Sequence, residues 1–123
     1  MTEMNKPKVL EATNNLSMLY LMVIGERIDA LSVSNLLCAW SEIDLLDHSP
    51  APFELLKNLV VDKADQDAFF SPGCGTALVN IIKASNDLYI QDDEFINCIL
   101  QGLEDHFDEL DIPWATIALK NMG

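Results

Sequence analysis

Hydrophobic residues recur at intervals of three and four along most of this chain, which is the period of an α-helix. Between Pro7 and about Leu31 they predict the longest helix. From Met18 to Ile24 apolar side chains surround the helix axis on nearly every side. A helix of that kind is usually buried, either in the centre of a domain or in a dimer. We expect a central core helix, with a homodimer through Met18–Ile24 as the alternative.

Capping and turn residues divide the middle of the chain into shorter helices. The expected N-caps are Ser34, for a helix that ends at Asp47, and Ser49 and Thr76 for two later helices. The strongest loop signal is Ser71-Pro72-Gly73-Cys74-Gly75, since proline and glycine interrupt regular structure. Leu88–Ile90 is expected to be extended, but it is too short to form a sheet.

The C-terminal third contains the best-defined helix. Asp92 or Asp93 is expected to cap it, and one continuous apolar stripe follows. The residues of that stripe are Ile96, Ile99, Leu100, Leu103, Phe107 and Leu110. Asp111 is expected to cap a last helix that has proline in its first turn. Trp114, Ile117 and Ala118 of this helix are expected to pack in the core.

These patterns predict an all-α protein of about five to seven helices without a substantial sheet. Half of the 123 residues are hydrophobic, which is enough for a real core. We find no internal repeat and no linker, so residues 1–123 are expected to form one domain, with residues 1–6 as a flexible N-terminus.

Negative charge is concentrated near the C-terminus. The formal net charge is -13, and no lysine or arginine lies between Lys83 and Lys120, a stretch that carries nine carboxylates. Such a field attracts basic protein surfaces and repels nucleic acid and anionic membranes. We therefore predict a partner-binding face that consists of Asp92, Asp93, Glu94, Glu104, Asp105, Asp108, Glu109 and Asp111.

The leading functional hypothesis is a small acidic protein that binds or inhibits a basic partner, as an immunity protein, an inhibitor or a DNA mimic does. One alternative is a small-molecule-binding protein or small enzyme, with a pocket near Met18, Met22, Trp40 and Phe69. Another is an oligomeric structural protein. No signal peptide or membrane-spanning segment is visible, and the three cysteines form no disulfide-like pattern, so we expect a cytoplasmic protein.

Two histidine-containing groups are candidate metal ligands. Asp44 and His48 are four residues apart and can share one helix face, with Asp47 adjacent, and His106 lies within one turn of Asp105 and Glu109. Neither group supplies enough converging donors for zinc or for a hard cation. We therefore expect no metal site and no cofactor.

Cys74 is the candidate nucleophile. A cysteine just before a helix can have its thiolate stabilised by the free backbone N–H groups of the first turn. His48 or His106 would have to lie close enough to act as the base. The same loop lacks the lysine of a phosphate-binding loop. The sequence thus favours a binding protein over an enzyme and assigns no catalytic residue beyond the candidates Cys74 and His48.

Overall fold

The computed structural model describes residues 6–64 and 68–122, apart from the side chain of Glu26. In these ranges the chain forms helices only and contains no strand, which confirms the predicted fold class. The helices are α1 (Lys6–Ile24), α2 (Ala30–Glu42), α3 (Leu45–His48), α4 (Ala51–Lys63), α5 (Gly75–Asp87), α6 (Asp93–His106) and α7 (Ile112–Met122). The predicted flexible N-terminus lies outside the described residues, except for Lys6, which begins α1.

The core forms around α5, which packs against α2, α6 and α7. Its buried residues include Leu78, Ile81 and Ile82. On the other side of the domain α4 packs against α1 and α6, where the rings of Phe53 and Phe95 meet edge to face at 5.2 Å. The helices therefore form one apolar core, which continues from α1 to α7.

The predicted helix from Pro7 to Leu31 is interrupted. Helix α1 ends at Ile24 and is followed by a single 3-10 turn over Gly25–Arg27, because Gly25 has φ +34° and Ile28 is extended. Asp29 then caps α2, since its carboxylate accepts from the Ser32 N–H at 2.8 Å. The predicted cap Ser34 instead lies buried within α2. An aspartate in the middle of an apolar pattern was thus the helix boundary.

Three other helix boundaries also differ from the predicted ones. Asp44, in the left-handed conformation (φ 52°), separates α2 from α3, so no single helix reaches Asp47. Helix α4 follows Pro50 without the predicted side-chain cap from Ser49. Helix α5 starts at Gly75, one residue before the predicted cap Thr76. By contrast, Asp92 caps α6 as predicted and Asp111 accepts from the Trp114 N–H at the start of α7.

Helix α1 does not lie in the centre of the domain, contrary to our expectation. Only Ser17 and Leu21 are fully buried among its side chains. Leu16, Met22 and Val23 are 65%, 69% and 73% exposed. The all-round apolar pattern therefore reflects one buried face that packs on α3 and α4 and one apolar face that stays exposed.

The segment after α5 is a turn rather than an extended strand. The Ile90 N–H donates to the Ser85 carbonyl at 2.9 Å and the Tyr89 N–H donates to the Asn86 carbonyl at 3.2 Å. This is the Schellman arrangement, which places one residue in the left-handed region. Here that residue is Tyr89, with φ 58° and a side chain that is 82% exposed.

Candidate functional site

Three of the predicted partner-binding carboxylates have partners within the protein. Asp92 accepts from the Phe95 N–H at 2.9 Å and from the Lys57 ammonium at 2.7 Å. The hydrogen bond from Lys57 is the main cause that lowers the pKa of Asp92. Asp111 caps α7, and Glu109 binds a loop as described below. These three carboxylates are explained by the fold.

The other five carboxylates are exposed and make no ion pair with a described residue. Asp105 accepts a hydrogen bond from the exposed side-chain amide of Gln101 at 3.4 Å. Asp93 and Glu94 lie in the first turn of α6, where the helix dipole favours negative charge. Glu104, Asp105 and Asp108 lie at the opposite end, where the dipole disfavours it; we call these three the acidic end. The acidic end thus carries charge that the fold does not compensate.

Glu109 joins the loop before α5 to the segment after α6. Its two carboxylate oxygens accept from the backbone N–H groups of Gly73 and Gly75, each at 3.1 Å. Gly75 permits this approach, because a Cβ there would meet Leu110, Glu109 and the His106 carbonyl at 3.1–3.2 Å. Gly73 supplies a left-handed turn with φ +87°. The two glycines therefore bring two distant segments into direct contact.

His106 completes this junction. Its Nδ1 lies 3.0 Å from Oε2 of Glu109, and its ring centroid is 6.3 Å from that of Phe70. The hydrogen bond with His106 is the main cause that lowers the pKa of Glu109, followed by the bond from Gly73. The imidazole is consequently held beside a carboxylate that stays ionised.

Cys74 lies beside both residues. Its Sγ, a ring nitrogen of His106 and a carboxylate oxygen of Glu109 all lie within 4.8 Å of one another. Burial is the main cause that raises the pKa of the Cys74 thiol, and the charge of Glu109 raises it further. The nearby Gly73 and Gly75 N–H groups bind the carboxylate, so they are not available to stabilise a thiolate. These observations argue against Cys74 as an activated nucleophile.

The other sequence candidates do not join this cluster. Asp44, Asp47 and His48 are exposed around α3. Among the described residues, the one group of three donors close enough to share a metal ion is Cys74, His106 and Glu109. The sequence suggests His106 with Glu109 as metal ligands and His106 with Cys74 as base and nucleophile, but no sequence pattern groups the three residues. The missing information was the contact between residues 73–75 and 106–109, which no local spacing encodes.

The predicted pocket residues differ widely in exposure. Trp40 and Phe69 are buried in the core, whereas Met22 projects into solvent. An open groove of about 370 Å³ lies instead between α5, α6 and α7, where Ile82, Leu100 and Asn121 contribute to its walls. This groove therefore involves different residues from those of the predicted pocket.

No known protein family, curated protein or solved structure shows a significant match to this chain. Within the described ranges, every helix is too short or too polar to cross a membrane.

Proposed function

We propose that this protein acts by binding a basic protein surface through its acidic end, Glu104, Asp105 and Asp108. The observation that carries the proposal is that these carboxylates are exposed, adjacent and without an ion pair among the described residues. Three free cysteines are consistent with action in a reducing compartment such as the cytoplasm. An immunity protein, an inhibitor or a DNA mimic would use such a surface.

The placement of these charges has a cost for the fold. Glu104 and Asp105 lie in the last turn of α6, and Asp108 lies in the 3-10 turn Phe107–Glu109 that follows it, so three like charges repel one another near the C-terminal end of the helix. The negative end of the helix dipole adds to that cost. A basic partner would relieve both repulsions on binding, and its approach would be accelerated by the surrounding field.

The test uses a partner captured on the immobilised protein at low salt and identified by mass spectrometry. We expect the triple variant Glu104→Lys, Asp105→Lys, Asp108→Lys to associate with it at least about tenfold more slowly, because complementary charge acts mainly on association. The matched control is Glu11→Lys, Glu42→Lys, Asp47→Lys, which makes the same change in net charge at exposed positions elsewhere. Association rates would be measured by surface plasmon resonance.

Two comparisons decide the outcome. Salt at about 0.5 M should slow association of the wild-type protein strongly and that of the reversed variant little, since screening removes the field. A partner that binds the wild type, the reversed variant and the control equally, with no effect of salt, would show that the acidic end serves solubility only. Competition by duplex DNA for the same partner would identify the DNA-mimic form of the function.

A second candidate is self-association through the exposed face of α1. Leu16, Leu19, Tyr20 and Val23 follow the spacing i, i+3, i+4, i+7 and form one stripe on the side away from the core; we call it the α1 stripe. With the adjoining Met22 it exposes on the order of 500 Å², at the upper end of what a monomer tolerates. Two such faces together would bury on the order of 1,000 Å², near the lower limit of a specific interface.

Charge favours a second copy of the chain as the occupant of this stripe. Residues from Ala12 to Gly25 include no charged side chain, although the whole chain carries -13. Two copies that met elsewhere would bring acidic residues together, whereas at α1 they meet through the least acidic part of the molecule. Ala12, one turn before Leu16 on the same line, would let the two helices approach closely.

We expect Leu19→Glu with Val23→Glu to convert a dimer into a monomer, because each buries a carboxylate in an apolar interface. The matched control is Leu119→Glu, an exposed leucine on α7. Sedimentation analysis over a range of protein concentration measures the oligomeric state. A wild-type protein that stays monomeric throughout, or a dimer that survives the double substitution, would contradict this interface.

A further inference from the structure

We infer that Cys74, His106 and Glu109 form a binding site for a zinc ion. The three residues contribute a thiol, an imidazole and a carboxylate, and their donor atoms lie within 4.8 Å of one another. Thiolate, imidazole and carboxylate are the three ligand types of zinc proteins, in sites that have three or four protein ligands. This site differs from the acidic end in its residues and in its ligand, and it does not depend on a basic partner.

The distances allow convergence on one ion with a small movement. Zinc–nitrogen and zinc–oxygen bonds of about 2.0–2.1 Å place two such ligands about 3.3 Å apart in a tetrahedron. Nδ1 of His106 and Oε2 of Glu109 are already 3.0 Å apart. The sulfur, at up to 4.8 Å, would have to approach by up to about 1.3 Å to reach the separation of about 3.5 Å that a tetrahedral site requires. A small adjustment of the Cys74 side chain supplies a shift of this size.

The surrounding residues hold the donors in place, as a metal site requires. The Gly73 and Gly75 N–H groups fix the Glu109 carboxylate and leave lone pairs on both oxygens for a further ligand. The backbone of Gly75 packs directly against the segment from His106 to Leu110. Phe70 lies beside the imidazole ring. The carboxylate is therefore oriented without the metal, and an ion would replace the hydrogen bond between His106 and Glu109.

The donor set also selects the class of metal. A thiolate favours zinc and other thiophilic ions over magnesium and calcium, which take oxygen ligands only. Three protein donors leave a fourth position for water or for a group of a partner. Asp105 and Asp108, next to His106 and Glu109 in the chain, raise the local concentration of cations around this position.

The experiment is a titration of the reduced full-length protein with Co²⁺ in the presence of excess Mg²⁺, followed by displacement with Zn²⁺. We expect one equivalent of Co²⁺ to bind, with the sulfur-to-cobalt charge-transfer absorption that only a thiolate ligand gives. Cys74→Ser should abolish that absorption, and both Cys74→Ser and His106→Gln should weaken binding at least about tenfold, because even the loss of a group that only supports a ligand costs about 10–100-fold. Cys98→Ser, which alters a half-buried cysteine elsewhere on α6, is the matched control and should bind as the wild type does.

The result that would overturn the site is Co²⁺ binding without a thiolate absorption, or with equal affinity in Cys74→Ser. Either outcome would assign the ion to exposed carboxylates. Far-UV circular dichroism verifies the fold of each variant. Should Cys74→Ser fail to fold, the wild-type spectrum together with the affinity of His106→Gln decides the question.

Discussion

Replacing Trp40 with alanine is expected to lower the free energy of unfolding by about 3–5 kcal/mol, the range for a large aromatic residue removed from a core. Trp40 is 0% exposed on α2, and its indole N–H donates to the Ser17 hydroxyl of α1 at 2.9 Å. The substitution therefore removes both a large apolar volume and the buried hydrogen bond that joins these two helices. Denaturant titration followed by far-UV circular dichroism measures the loss.

Two variants separate the packing of Trp40 from its hydrogen bond. Ser17→Ala leaves the indole N–H buried without an acceptor, which costs about 1–3 kcal/mol. Trp114→Ala, at the half-buried tryptophan of α7, is the control for removal of an indole and should cost less. A loss below about 1 kcal/mol for Trp40→Ala would contradict the burial of Trp40 in the core.

Leu103→Ala is expected to destabilise the protein by about 2–5 kcal/mol, as the truncation of a buried leucine does. Leu103 is 2% exposed on the inner face of α6. Leu100, one turn earlier, is half-buried and lines the open groove beside α7, so Leu100→Ala should cost clearly less. The sequence pattern alone predicts equal, large losses for both residues, and the structure separates them.

The same denaturant titration compares the two leucine variants, with Leu119→Ala at an exposed position as the control. Equal losses of unfolding free energy for Leu100→Ala and Leu103→Ala would mean that the groove closes over Leu100. A loss below about 0.5 kcal/mol at Leu103 would contradict the assignment of the inner face of α6, because a buried leucine cannot be truncated at so small a cost.

The sequence predicts the C-terminal helices better than the N-terminal ones for a physical reason. In α6 a capping aspartate and a one-sided apolar stripe specify the same helix start and the same inner face. The predicted stripe is wrong only at its end, because α6 stops at His106 and Phe107 begins a 3-10 turn. Between residues 18 and 33 the apolar residues continue through the boundary, so periodicity cannot show where one helix ends. Asp29 and Gly25 determine that boundary through a cap and a backbone angle. Nor does periodicity distinguish a buried apolar face of α1 from an exposed one.

The candidate sites also combine features that local sequence predicts with features that depend on tertiary contacts. Exposed charge on a helix can be predicted from its sequence, and Glu104, Asp105 and Asp108 are indeed exposed. The role of Glu109 could not be predicted, because its two donors lie more than thirty residues earlier in the chain. Which acidic residues serve the fold and which are free to bind a partner is a property of tertiary contacts.

The left-handed tyrosine at the end of α5 shows that the natural chain has not been optimised for stability alone. A left-handed backbone costs an ordinary residue about 1–2 kcal/mol, and the side chain of Tyr89 recovers little of it because it is 82% exposed. Glycine avoids that strain and costs about 0.5–1 kcal/mol in chain entropy. The turn after α5 thus contains a residue that the fold tolerates rather than requires, and residue 89 is open to engineering without disturbance of the core.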